Sequence, residues 1–361
     1  MPNFHLLNNG EKQMKTFAVL ISSHGEVEAP SFSAYRNQIR HIFHHASAYM
    51  HIPKPVLHVI PTVGGALMTL KYRRARYLSP HNHLTRQQAE KVKAHLSNIA
   101  TSLPVTLEVI PTFETTPPYT EDQLQDAMQR YDGVIVLAMN PIDGDLSCGT
   151  LCRFAQQTFP PDMLSKLTVI GGLWRDEALS AVYCTYILSQ IQELTLYGRV
   201  GLILIMHGTV VAQKNGAPVS FRNGLKETES FYERLASGLR AASPKLFSHI
   251  TVAYLNHTVG GRWTTPTLED AIATLKAHGI ETAVAFASGY FTDSSETHHA
   301  AEVLSRAKFR AAYYLPCVND TDDFTRYLAE RIQKAARGLL HRQALLELPP
   351  KAVENRSHLR S

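Results

Sequence analysis

The sequence predicts an α/β protein made of two similar Rossmann-like lobes, each a short parallel sheet flanked by helices, with a cleft between them. Three observations carry this. Short apolar runs rich in β-branched residues alternate with longer amphipathic stretches. Most of those runs are apolar on consecutive positions, as in strands buried on both faces. The signature Ala18-Val-Leu-Ile-Ser-Ser-His24-Gly25 returns as Gly201-Leu-Ile-Leu-Ile-Met-His207-Gly208, a buried strand ending in His-Gly that opens each half.

Taken in order, the expected strands are Phe17–Ile21, Val56–Ile60, Val105–Ile110, Gly133–Leu137, Leu167–Ile170, Val200–Met206, Ile250–Tyr254, Thr282–Phe286 and Ala311–Tyr314. Most are closely followed by Gly, Pro, His or Ser, which end a strand. The stretches between them read as helices: Ser33–Met50, Thr85–Ile99, Glu121–Tyr131, Asp176–Leu194, Gly224–Ala241, Leu268–His278, Glu296–Arg306 and Asp323–Ala336. Residues 16–195 form the expected N-terminal lobe and 196–340 the C-terminal lobe. Residues 1–15 and 345–361, polar or interrupted by proline, are expected to be flexible tails.

Composition narrows the function classes. The chain has 361 residues, 44% hydrophobic and 19% charged, close to the globular average. The net charge of +5 is mild and its basic residues are scattered, so no nucleic-acid partner is expected. One dense basic group, Lys71, Arg73, Arg74 and Arg76, suits an anionic ligand or anionic lipid. No apolar run reaches the roughly 18–20 residues of a membrane span. The four cysteines (Cys148, Cys152, Cys184 and Cys317) show neither a CxxC pair nor a disulfide framework. A cytoplasmic protein, free or peripheral to the inner face of the membrane and either monomer or homodimer, is the expectation. Neither GxGxxG after a strand nor GxxxxGK(S/T), GxSxG or HExxH occurs, which removes the main sequence support for nucleotide, hydrolase and zincin chemistry.

Two residues stand where ligands bind in parallel α/β folds. His207 ends the most apolar strand, and Glu296 follows strand Thr282–Phe286 at the same sheet edge. Each has a structural alternative: a loop hydrogen bond for His207, and for Glu296 a capping box with Asp293 in the N-cap place.

Several segments together resemble ferrochelatases. That family places its catalytic His in a turn like Met206-His207-Gly208-Thr209 and its catalytic Glu in a segment like Gly289-Tyr-Phe-Thr-Asp293-Ser-Ser-Glu296-Thr297. In the same order, Ser79-Pro80, Leu84-Thr85 and Gln88-Ala89, then Gly216-Ala217-Pro218, then Trp263 and Pro266, and finally Tyr313 to Asn319, are similar to further segments of the family. The resemblance implies a chelatase-type two-lobed fold and a lyase that inserts Fe²⁺ into a porphyrin, protoporphyrin IX or coproporphyrin III, in haem biosynthesis. His207 and Glu296 would be both catalytic and metal-binding. His24, Ser79, Trp263, Tyr290, Phe291 and Asp293 would line the porphyrin. Iron would be a substrate, with no permanently bound cofactor; beyond Cys184 only Cys317 remains, and since iron–sulfur clusters usually need four ligands none is expected. Three departures bear on metal delivery: Ser294 stands where the family has His, Leu255-Asn256-His257 replaces Gln-Ser-Arg, and Ala300 and Leu304 replace acids along the following helix. His299 shares a helix face with Glu296 and is a substitute for them. The alternatives are a cobalt or nickel chelatase acting on sirohydrochlorin, whose relatives carry a His pair, and a haem-binding protein without catalysis.

The residue types suit the chemistry. Metal insertion needs two pyrrole protons to leave. An imidazole, with an ordinary pKa of about 6.5, accepts a proton or ligates a metal near neutrality. A carboxylate binds the cation or takes the other proton.

Overall fold

The computed structural model describes residues 14–47, 54–99, 103–145, 147–257 and 260–346. Along the first half run β1 (Lys15–Ser23), α1 (Phe32–Ser47), α2 (Lys54–Ala75), α3 (His81–Ile99), β2 (Val105–Phe113), α4 (Thr120–Arg130) and β3 (Gly133–Ala138). They are followed by α5 (Cys148–Thr158), α6 (Pro161–Leu164), β4 (Leu167–Ile170) and α7 (Glu177–Gln192). The second half comprises β5 (Val200–His207), β6 (Val210–Ala212), α8 (Leu225–Ala242), β7 (His249–Leu255), β8 (Arg262–Trp263) and α9 (Leu268–Ala277). It closes with β9 (Thr282–Phe286), α10 (Ser295–Ser305), β10 (Ala311–Leu315) and α11 (Asp322–Leu346).

Two four-stranded parallel sheets result, and they are topological copies. The first runs β2-β1-β3-β4 and the second β7-β5-β9-β10, so β1 and β5 hold the same place. The match extends to a turn: Phe113 N–H donates to Pro118 O at 2.9 Å after β2, and Tyr254 N–H donates to Pro266 O at 3.0 Å after β7. The central strands are buried along nearly their whole length, as the continuous apolar runs predict. Alternation decides which layer each residue joins. Phe17, Val19 and Ile21 of β1 and Leu202, Leu204 and Met206 of β5 enter one common core, with Tyr183 of α7, Phe231 of α8 and Phe324 of α11. Ala18 and Leu20 face the opposite way, toward Leu124 and Met128 of α4. Ile203 and Ile205 face Ile272 and Leu275 of α9. The largest core thus lies between the sheets and belongs to both. Helix α11, from the C-terminal end of the chain, packs on α3, α7, β3 and β4.

Two expectations need correction. Val56–Ile60, read as a strand, lies in α2. Its β-branched run imitates a buried strand, but the apolar positions continue at four-residue spacing through Val59, Val63 and Leu67. In α2 those three are over half exposed (58%, 53% and 63%). Ordered elements reach past the expected tail limits at both ends: Lys15 opens β1 and Leu346 ends α11. Residues 1–13 and 347–361, like the end of the expected helix at 48–50, lie outside the described residues. Short β6 and β8, which pair antiparallel, are too brief to show a period in sequence. Among the described residues, no helix is long and apolar enough to cross a membrane.

Candidate metal-chelation site

β5 is buried until its last residue, where His207 emerges with 45% of its side chain exposed. Gly208 allows this. Its N–H donates to Leu255 O at 2.8 Å, and a Cβ there would stand 2.6 Å from that carbonyl oxygen and collide with Asn256 Oδ1. His207 Nδ1 lies 2.7 Å from Gly208 O. A carbonyl only accepts, so Nδ1 carries the proton and Nε2 presents its lone pair outward.

The neighbouring strand supplies a second imidazole. Beyond β7, Asn256 Nδ2 donates to Thr264 O at 2.7 Å and Thr264 Oγ1 donates to Asn256 Oδ1 at 3.1 Å, which anchors the turn. His257 projects from it, edge-on to Trp263 with ring centroids 5.2 Å apart. Its Nε2 lies 3.3 Å from Glu296 Oε1.

On the other side of β5, β9 leads into the segment that bears Glu296. Gly289 N–H donates to Ile205 O at 2.9 Å, and any Cβ on Gly289 would lie 2.5 Å from His207 N. That close approach brings Tyr290 beside His207, ring centroids 5.8 Å apart. The Tyr290 hydroxyl donates to Glu296 Oε2 at 2.6 Å, an oxygen that also faces His207 Nε2 at 3.8 Å. Glu296 sits in the first turn of α10, where the helix dipole favours negative charge. The alternative capping box of Asp293 with Glu296 does not form; the box lies one residue on. Ser294 is the N-cap, paired with Thr297, so the Glu296 carboxylate is free for the site. The departure to serine at 294 thereby has a structural role.

Burial pushes the Glu296 carboxyl up, but His207, His257 and the Tyr290 hydrogen bond outweigh it and hold the group below its ordinary value. Burial lowers His257, with Glu296 opposing and His207 adding to the fall. The combination keeps Glu296 ionised and a lone pair on His257 at neutral pH. His207 Nε2, His257 Nε2 and a Glu296 oxygen converge with all donor atoms within 4.8 Å of one another. Two imidazoles and a carboxylate suit Fe²⁺, Co²⁺, Ni²⁺ or Zn²⁺, with little intrinsic choice among them.

The N-terminal lobe frames this centre. His24 directly follows β1, much as His207 ends β5; it is 57% exposed, 4.0 Å from Glu114. Burial and then the neighbouring His81 lower it to about 4, with Glu296 opposing and His207 and His257 adding. Solvent reaches His24, yet protein surrounds it, as at the floor of a cleft. Buried His81 accepts from Gly25 N–H at 3.2 Å through Nε2, so its Nδ1–H donates to Thr292 Oγ1 at 2.8 Å. Burial lowers its pKa, with Glu26 and Glu296 opposing. Glu26 accepts from Ser295 N–H (3.1 Å), Ser295 Oγ (2.6 Å) and Ser79 Oγ. Gln88 Nε2 donates to Phe291 O at 3.1 Å and Asn319 O at 2.8 Å. The segment Ser79 to Ala89 therefore latches the loop that carries Glu296.

Of the expected site residues, His207, Glu296, Tyr290 and Trp263 gather around the cleft, with His24 opposite. Three others turn out to be supports. Phe291 is buried in the shared core against Phe324, where a macrocycle does not reach it. Asp293 spends its carboxylate on Cys317 N–H (3.1 Å) and Asn319 Nδ2 (2.8 Å). Ser79 is buried and bound to Glu26. His299 is exposed, and His298 pairs with Glu302 at 3.5 Å, while Ala300 and Leu304 are buried in the core beneath α10. In the sequence His257 is legible only as a departure from the family pattern. Its signal was an imidazole just after the strand adjacent to His207.

Two copies of a parallel sheet facing one cleft, with two imidazoles and a carboxylate at strand and helix ends, define a metal chelatase of the two-lobed class. The chain belongs to the ferrochelatase family, whose model matches residues 16–336. Among solved structures it is similar to CbiX, described as the terminal enzyme for biosynthesis of siroheme in denitrifying bacteria (17% identity, TM-score 0.47, covering 88% of this chain and 98% of that one). It is also similar to SirB from Bacillus subtilis with Fe³⁺ (11% identity, TM-score 0.44, covering 89% and 96%). No curated protein sequence matches the chain.

Proposed function

We propose that the protein inserts Fe²⁺ into a porphyrin, protoporphyrin IX or coproporphyrin III, as the metal-inserting lyase of haem formation. The observation that carries this reading is the convergence of His207, His257 and Glu296 on one point of the cleft. Insertion exchanges two N–H protons of the ring for one divalent ion, so the site must hold a cation and receive two protons. His207 Nε2, its tautomer set by Gly208 O, and the ionised Glu296 carboxylate supply both capacities. Tyr290 holds Glu296 in place, and Trp263 with the opposite His24 flank the ring. Iron is a substrate in this reaction rather than a resident cofactor.

The test is an anaerobic spectrophotometric assay of the purified protein with Fe²⁺ and each porphyrin, run beside Glu296→Ala. Metalloporphyrin formation that the variant abolishes is expected. Ring binding without insertion by the wild type would overturn the reading and leave a haem-binding protein. A second reading, cobalt or nickel insertion into sirohydrochlorin, is favoured by one observation: His257 makes the site a two-imidazole site, like the His pair of those chelatases. Competition between Fe²⁺, Co²⁺ and Ni²⁺ across porphyrin and sirohydrochlorin separates the two.

A further inference from the structure

The N-terminal lobe contains a second group of metal-ligating side chains that the chelation chemistry does not use. His41 and His45 stand one turn apart on α1, so both imidazoles leave the same helix face. Glu121, in the first turn of α4, meets them there. One donor atom from each of the three lies within 4.8 Å of the others.

The details fit a metal better than a packed ion pair. His45 Nε2 lies 3.2 Å from Glu121 Oε1. In tetrahedral coordination with bonds of about 2.0–2.2 Å, ligand atoms stand roughly 3.3 Å apart, so this pair already has the spacing of two ligands on one ion. The His41 ring packs beside His45 (centroids 4.4 Å) and stacks on Tyr119 (4.5 Å), which holds it in place. Yet His41 Nε2 is buried and has no hydrogen-bond partner. A buried polar nitrogen left unpaired is costly, and an ion shared with His45 and Glu121 would satisfy it. A cavity of about 30 Å³ adjoins the group, lined by His45, Glu121, Glu114, Ser22, Thr120 and Ser147. That is room for an ion with a water, and Glu114 is within the lining as a further oxygen donor.

We propose that His41, His45 and Glu121 form a second binding site for a divalent transition-metal ion. Two imidazoles and one carboxylate with an open position take Zn²⁺, Fe²⁺, Co²⁺ or Ni²⁺ in preference to Mg²⁺ or Ca²⁺. The donor set equals that of His207, His257 and Glu296, so the same ions occupy both places. The two groups are not copies of each other: one is built on helices α1 and α4, the other on the ends of β5 and β7 and the start of α10.

Co²⁺ titration of the metal-free full-length protein tests this, read by equilibrium dialysis and by visible ligand-field absorption. His41→Ala/His45→Ala is expected to remove one equivalent of bound Co²⁺ and its share of the absorption. Glu121→Gln, nearly isosteric, is expected to weaken that equivalent at least tenfold with the circular dichroism spectrum unchanged. His207→Ala/Glu296→Gln removes a different equivalent or none, so failure of the chelation reading leaves this result distinct. Unchanged Co²⁺ stoichiometry and spectrum in both the double variant and Glu121→Gln would overturn the proposal. If the double variant does not fold, Glu121→Gln alone decides.

Discussion

The Tyr290 hydroxyl and the Glu296 carboxylate are joined by a 2.6 Å hydrogen bond, made to the same oxygen that faces His207. Tyr290 carries a strongly raised pKa, from burial and then from the Glu296 charge, so it stays a neutral donor. One phenol therefore positions the carboxylate and adds to the pull of His207 and His257 that keeps it ionised.

Tyr290→Phe removes a hydrogen bond that helps depress the Glu296 pKa. The carboxylate loses its charge as pH falls through that depressed value, so the acid limb of metal binding should move to higher pH in the variant. A hydrogen bond to a charged group contributes about 1.5–3 kcal/mol, so metal affinity near the limb should drop roughly tenfold or more. Metal-binding isotherms between pH 4 and 8 check this. An acid limb that stays in place would show that Tyr290 only packs.

His207 and His257 should differ in effect. His207→Ala removes the imidazole whose tautomer is set by backbone and should lower turnover by about 10²–10⁴-fold, the usual range for a lost acid–base group. His257→Gln should change the order of preference among Fe²⁺, Co²⁺ and Zn²⁺ more than it changes turnover with the best ion. Steady-state rates with each ion distinguish the two patterns.

Phe291 and Gln88 should act through stability. Phe291→Ala opens a cavity in the shared core and should cost about 3–5 kcal/mol. Gln88→Ala leaves two inter-lobe carbonyls, Phe291 O and Asn319 O, without their donor and should cost about 1–3 kcal/mol. Urea denaturation measures both. A neutral Phe291→Ala with weakened porphyrin binding would restore that ring to the cleft.

His24 and Glu114 should give opposite pH dependences. Burial pushes Glu114 up to about 7, with His45 opposing and Glu121 adding. The folded protein then keeps a proton that the unfolded chain releases near 4.5, so this contribution is present at pH 4 and lost as pH rises through 7. Glu114→Gln should stabilise the protein relative to wild type at pH 8 and change little at pH 4. His24, lowered to about 4 from 6.5, is protonated more readily when unfolded. Its contribution is present above pH 6.5 and lost as pH falls toward 4, and His24→Gln should flatten that decline. Thermal unfolding across pH 4–8 reads both slopes.

Much of the architecture was written in local pattern. β5 and β9 show up as continuous apolar runs because both of their faces are covered. The run at Val56 misled because a helix with an exposed apolar stripe offers the same few consecutive residues as a buried strand. His207 and Glu296 were visible from their places after strands. His257 was not, because its place beside His207 and Glu296 depends on β7 lying beside β5, a pairing no spacing reveals. At Glu296 the capping alternative fails because its neighbour takes the role: Ser294 caps α10 and leaves the Glu296 carboxylate outside the cap. Phe291 and Asp293 flank Tyr290 and Glu296 in sequence but point into the core and toward Cys317, since adjacent residues of a tight loop diverge.

The core shared by β1, β5, α7 and α11 has a mechanical consequence. Opening the lobes like a jaw would expose Phe231, Phe286, Phe291 and Phe324 to water, at roughly 1.5–3 kcal/mol per side chain. The gap between the strand ends is thus a fixed aperture. A ligand's fit there costs little reorganisation, and the radius of gyration should be the same with the aperture empty or filled.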